Sequence, residues 1–107
     1  MTDDVWYPLE GFNADAPQFP VRTRLNGEGI FVFRTRDGFR GVERACPHLK
    51  APLSDAILMA DTTILRCSQH NFTFKLSNGK GVNSPSYRLR VFEIKVEDGV
   101  AYGRAAN

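Results

Sequence analysis

Residues 21–25 read Val-Arg-Thr-Arg-Leu, which sets Arg22 and Arg24 on one side of an extended chain and Val21, Thr23 and Leu25 on the other. Strand side chains point alternately to opposite faces, so this is the pattern of a strand with one face on a core. Residues 30–34 read Ile-Phe-Val-Phe-Arg, with Phe31 and Phe33 as core candidates. Further β-rich runs occupy 39–43, 62–66, 72–75, 89–96 and 100–102, and Phe92 joins the candidate core. Trp6 and Tyr7 read as an N-terminal strand packing on that core. Asn26-Gly27, Asp37-Gly38, Asn78-Gly79 and Asp98-Gly99 punctuate the runs, and such pairs suit tight hairpin turns because both central residues take positive φ. Only residues 52–60 have room for a helical turn. Short strands at this spacing predict an all-β sandwich or barrel.

Glycine and proline gather between the two strand-rich halves, at Pro47, Pro52, Gly79, Gly81 and Pro85. Segment 45–85 therefore reads as a smaller lobe inserted into a β-base built from about 1–44 and 86–107. With 107 residues in all, the chain is expected to be a single domain, 1–107.

Composition narrows the picture further. At 42% apolar and 24% charged the chain is that of an ordinary globular protein, and it has no apolar run of membrane-spanning length. Met1-Thr2-Asp3-Asp4 is acidic and unlike a signal peptide. A cytoplasmic location is expected, where reduced thiols favour metal ligation over disulfides. The net charge of +2 is too small to argue for nucleic acid. Its distribution is uneven: residues 46–90 hold six basic and two acidic side chains, while the segments on either side are each slightly acidic. That middle third, Lys50 included, is a candidate for steering an acidic partner.

The chemistry concentrates in the same third. Cys46-Pro47-His48 and Cys67-Ser68-Gln69-His70 contain both cysteines and both histidines of the chain. Two short loops thus deliver four soft or borderline ligands, suited to zinc or to an iron–sulfur cluster. Structural zinc sites space like ligands in pairs, as in Cys-x₂₋₄-Cys and His-x₃₋₅-His. Here each pair is mixed, Cys-x-His and Cys-x₂-His. A single ion gains nothing from that arrangement, whereas a binuclear cluster can give one iron both cysteines and the other both histidines.

Residues 46–55 (Cys-Pro-His-Leu-Lys-Ala-Pro-Leu-Ser-Asp), 67–74 (Cys-Ser-Gln-His-Asn-Phe-Thr-Phe) and Ser84-Pro85-Ser86 together resemble the Rieske-type [2Fe–2S] ferredoxins, and 89–102 resembles the closing strands of that domain. The resemblance covers roughly 40–102. It implies that Cys46 and Cys67 hold the buried iron, that His48 and His70 hold the solvent-facing iron, and that Ser84-Pro85 is the loop covering the cluster. Two thiolates bring the oxidised cluster to about zero charge where four would leave about −2, so histidine ligation raises the potential. High-potential members of the family carry Ser and Tyr hydroxyls where this chain has Phe72 and Phe74, together with an extra cysteine in each loop, near Ala51 and Gln69 here. Without those donors a low-potential site is expected. Lys50 and Asn71 stand at positions where the family usually has glycine.

By resemblance the chain is a soluble one-electron carrier, a Rieske base with an inserted cluster-binding lobe. It would take electrons from an NADH-dependent, flavin-containing ferredoxin reductase and pass them to a terminal oxygenase acting on an aromatic ring or a related substrate. It shows no dinucleotide motif, flavin site or mononuclear iron site of its own, so it is expected not to be an enzyme. No nucleic acid or membrane partner is expected, and a monomer is. The alternatives are the small subunit of a larger redox enzyme, such as an assimilatory nitrite reductase, and a structural zinc module.

Overall fold

A computed structural model describes residues 5–47, 52–67, 72–83 and 86–106. Among the described residues nine strands follow one another: β1 (Tyr7–Glu10), β2 (Val21–Leu25), β3 (Glu28–Thr35), β4 (Gly38–Glu43), β5 (Ile57–Met59), β6 (Ile64–Arg66), β7 (Thr73–Lys75), β8 (Val91–Glu97) and β9 (Val100–Ala105). The first four and last two close into an antiparallel barrel in the order β1-β2-β3-β4-β8-β9, with β9 returning to β1. Between β4 and β8 the chain forms a separate three-stranded sheet, β5-β6-β7. The expected all-β architecture is therefore a barrel with a small second sheet.

Two turns follow the sequence directly. Asn26 and Gly27, at φ 50° and 84°, join β2 to β3, and Asp98 and Gly99, at 53° and 79°, join β8 to β9. These are two-residue hairpin loops with both central residues in the left-handed region. At Asp37-Gly38 the turn sits one residue earlier. Thr35 pairs with Gly38, so Arg36 and Asp37 make the loop and Gly38 already belongs to β4.

The unbroken apolar run in β3 has a structural reason. Ile30 and Val32 face the barrel interior, in a cluster with Leu25 and Phe92. Phe31 and Phe33 point the other way, into a second cluster with Val42, Cys46, Leu53, Leu65, Cys67, Phe74, Leu76, Leu89 and Val91. Strand β3 is thus buried on both faces, and the second cluster joins the barrel to the small sheet. Barrel closure requires small residues: a Cβ on Gly41 would lie 3.1 Å from Ile30 Cδ1 and from Phe92 Cβ.

Residues 52–60 hold the helical turn expected there, a 3₁₀ turn over Leu53–Asp55, but it ends early: residues 57–59 form strand β5, paired with β6 from Ile57↔Arg66 to Met59↔Ile64. Leu, Ala and Met are good helix formers; pairing with β6 overrides that local preference. The run expected to start at Thr62 starts instead at Ile64. Ala60, Asp61 and Thr62 make the β5–β6 turn with φ of 50°, 58° and 66°. The β3–β4 end of the barrel holds this turn. The Arg36 guanidinium pairs with the Asp61 carboxylate, and Arg36 N donates to Thr62 Oγ1 at 2.8 Å. Nearby, Arg40 donates from Nε to the Leu76 carbonyl (2.8 Å) and from Nη2 to that of Ser77 (3.1 Å), fastening the small sheet to β4.

Candidate metal centre

Three necks of hydrogen-bonded backbone flank residues 48–51, 68–71 and 84–85. The first begins just after β4, where Ala45 bridges to Pro52 and Leu53 N donates to the Arg44 carbonyl at 2.9 Å. Cys46 lies just inside that neck. The second begins just after β6, where Cys67 N donates to the Phe72 carbonyl at 2.9 Å. The third neck is made by Gly81 N donating to the Tyr87 carbonyl (3.1 Å), with Val82 N bonded to the Thr73 carbonyl (2.8 Å). Phe72 and Tyr87 meet edge to face at 5.9 Å, which ties the second neck to the third.

Of the four residues expected as ligands, the structure brings Cys46 and Cys67 into one hydrophobic cluster, 0% and 1% exposed. Among the described residues they form no disulfide. His48 and His70 lie outside the described residues, as do Lys50, Ala51, Gln69, Asn71, Ser84 and Pro85.

The surroundings fit a cluster held by these cysteines. Two thiolates amid Leu53, Leu65 and Phe74 would be costly alone, because buried charge needs a paired countercharge or a metal. Cationic iron would supply one. Each cysteine also sits at a neck whose backbone is hydrogen-bonded. Phe74 is fully buried and Phe72 packs against the same cluster, so the two side chains that lack hydroxyls are also part of the apolar wall. Sequence reading did not single out Tyr87; its ring packs on Phe72, a contact across fifteen residues that no local pattern reveals.

Charge is placed differently from what the linear sequence implied. Arg90, counted in the basic third, is paired with Glu28. Arg44 lies close to Arg22 and Arg24, and burial, with repulsion from those two, holds it below the ordinary guanidinium range.

Comparison with known proteins places these features. The Rieske [2Fe-2S] domain matches residues 6–93. Ferredoxin CarAc of Metapseudomonas resinovorans is 32% identical over 80 residues, 74% of this chain and 73% of that protein. The methanesulfonate monooxygenase ferredoxin subunit of Methylosulfonomonas methylovora is 31% identical over 84 residues, 78% and 68% of the two chains. Among solved structures, the ferredoxin of carbazole 1,9a-dioxygenase from Nocardioides aromaticivorans IC177 superposes with a TM-score of 0.74 at 19% identity, covering 91% of this chain and 96% of that one. The terminal oxygenase of the same system has a TM-score of 0.71 at 20% identity; 98% of this chain matches, but only 31% of that one. A candidate NADH-dependent nitrite reductase small subunit from Mycobacterium tuberculosis has a TM-score of 0.68 at 22% identity over 81% and 83%. The chain belongs to the Rieske [2Fe-2S] domain family, whose cofactor is a single Rieske-type cluster, and it is homologous to ferredoxin components of oxygenase systems.

Proposed function

We propose that this protein is a one-electron carrier that delivers electrons to a terminal oxygenase, having received them from an NADH-dependent flavin reductase. The carrying observation is the pair of buried, unbridged cysteines at hydrogen-bonded necks in one apolar cluster. The similarity to ferredoxin components over most of both chains supports the same reading. In this reading Cys46 and Cys67 hold the inner iron and His48 and His70 the outer one. The base comprises about 1–44 and 86–107, the cluster-binding lobe about 45–85, and the chain works as a cytoplasmic monomer.

When bound, the cluster supplies reversible one-electron storage. The chain's own residues bury both cysteines with Leu53, Leu65 and Phe74 and so keep water from the sulfur side. No acid, base or nucleophile is needed for that task. The fold likeness to a nitrite reductase small subunit favours a second reading, a permanent subunit, which differs in assembly rather than in chemistry.

Purified protein should be red-brown, with about two irons and two acid-labile sulfides per chain; a colourless protein holding zinc would overturn the reading. His70→Ala and Cys67→Ser should each lower iron content and melting temperature, since the loops lose their common anchor. A His70→Ala protein with unchanged spectrum would show that the ligand assignment is wrong. A monomer on sedimentation supports the shuttle, and an obligate complex with a larger reductase supports the subunit.

A further inference from the structure

Arg22 and Arg24 stand two apart on β2, both exposed on the outer face of the barrel, while Leu25 turns inward. From just beyond β4, Arg44 lays its side chain back across β3 to join them. Its Nη2 donates to the Thr23 carbonyl at 2.9 Å and its Nε to that of Ile30 at 3.4 Å, with Cζ 5.8 Å from the centre of the Phe31 ring. The path exists because residue 29 is glycine: a Cβ there would lie 2.5 Å from Arg44 Cζ. Three arginines are thereby gathered against their mutual repulsion. Glu10, opposite Arg24 in the β1–β2 register, is the carboxylate across from them. None of the three arginines is in an ion pair among the described residues. Arg22, Phe31 and Arg44, with Pro20, Pro52 and Ser54, line a recess of about 500 Å³. Pro52 forms the neck of the first loop with Ala45, so the recess lies at the foot of the Cys46 loop.

We propose that this recess and the arginines around it are the docking face for an acidic segment of the electron-transfer partner, one carboxylate seating between Arg22 and Arg44 over Phe31 and another meeting Arg24. The proposal rests on the electron-carrier reading and deepens it. Charge complementarity selects the partner's acidic segment: an excess of fixed positive charge in a recess recruits carboxylates and speeds encounter. Arg44 is held by backbone carbonyls before the partner arrives, and a preordered cation costs less to use at an interface. Seating at the foot of the first loop brings the partner against the lobe that carries the cluster ligands. The face draws on residues 22, 24 and 44, outside the third of the sequence with the basic excess.

A fluorescein-labelled hexaglutamate peptide, titrated onto cluster-loaded protein at low ionic strength, tests the face by anisotropy. Wild type should bind saturably, and added salt should weaken the complex. The Arg22→Glu, Arg24→Glu double variant should bind about tenfold more weakly or worse, the scale of close charge pairs at an interface. Lys75→Glu with Lys80→Glu, an equal change of net charge elsewhere, should stay within about twofold of wild type. Gly29→Ala, which displaces the Arg44 guanidinium without changing any charge, should also weaken binding. No saturable binding by wild type, or equal losses in the two double variants, would overturn the docking face. Binding to phosphatidylserine vesicles but not to the peptide would overturn it in favour of a membrane surface. Dithionite reduction and air reoxidation, followed by absorption in the same samples, judge the carrier reading separately. A cluster that cycles without peptide binding removes the docking face alone, and one that does not cycle removes the carrier reading on which it rests.

Discussion

Phe72 and Phe74 show how one residue position can serve fold and chemistry at once. Neither side chain can donate a hydrogen bond to sulfur, which argues for a potential near the low end of the Rieske range, about −150 mV. Both also pack in the cluster that walls the cysteines, Phe74 completely buried and Phe72 against Tyr87. Exchanging Phe72→Ser and Phe74→Tyr should therefore move two quantities in opposite directions. Voltammetry should show a higher midpoint potential, because added hydroxyls stabilise the reduced cluster. Denaturation should show a loss of about 2 kcal/mol, below the range for truncating a fully buried aromatic side chain because Phe72 is only half-buried. An unchanged potential in a protein that still holds its iron would show that hydroxyls at these positions do not reach the sulfurs.

Among the elements, the β3–β4 hairpin has a second task beyond closing the barrel. From its loop Arg36 grips the β5–β6 turn, and from β4 Arg40 grips the carbonyls after β7. Arg40→Met keeps the length of the side chain but removes both donations. It should cost about 2 kcal/mol, since the part-buried bond to Leu76 is worth about 1.5–3 kcal/mol as a donation from a charged group, and the exposed bond to Ser77 adds little. Arg40→Lys should recover only part of that, because an ammonium cannot present the same planar fork; chemical denaturation of the three proteins checks the order. These attachments also mark where the sequence stopped being legible. The hairpins at Asn26-Gly27 and Asp98-Gly99 could be read directly, because local φ requirements dictate them. The strand at Ile57–Met59 could not, because it exists only through pairing with β6. The same limit applies at the site. Cys46 and Cys67 stood out through their spacing from histidines, whereas the arginine cluster joins residues from β2 and the end of β4 and has no linear signature.

For the whole molecule, the two hydrophobic clusters predict uneven dependence on the cofactor. The barrel interior, with Ile30, Val32 and Phe92, has no cysteine in it. The other cluster contains both. Removing iron with a chelator should therefore loosen the β5-β6-β7 sheet before the barrel, because metal binding and folding are linked where the ligands lie. Amide hydrogen exchange should show protection falling at Leu65 and Phe74 while Thr23 and Val32 keep theirs. Equal loss in both regions would mean that the cluster stabilises the chain globally.

The pairing of β4 with β8 has a consequence for protein engineering. These strands are antiparallel neighbours, from Arg40↔Glu93 to Val42↔Val91, and everything between Glu43 and Val91 is an excursion that leaves and re-enters the barrel at adjacent points. Topologically the excursion is removable: a short hairpin loop would restore a closed sheet. Energetically it is not, because Phe31, Phe33, Val42 and Val91 are buried only in the cluster they share with the excursion. A barrel shorn of that segment would carry four apolar side chains on an open flank, a surface prone to self-association. Its isolation as a minimal scaffold would require polar replacements at those four positions, and grafting a different excursion onto it would require only that the newcomer cover them.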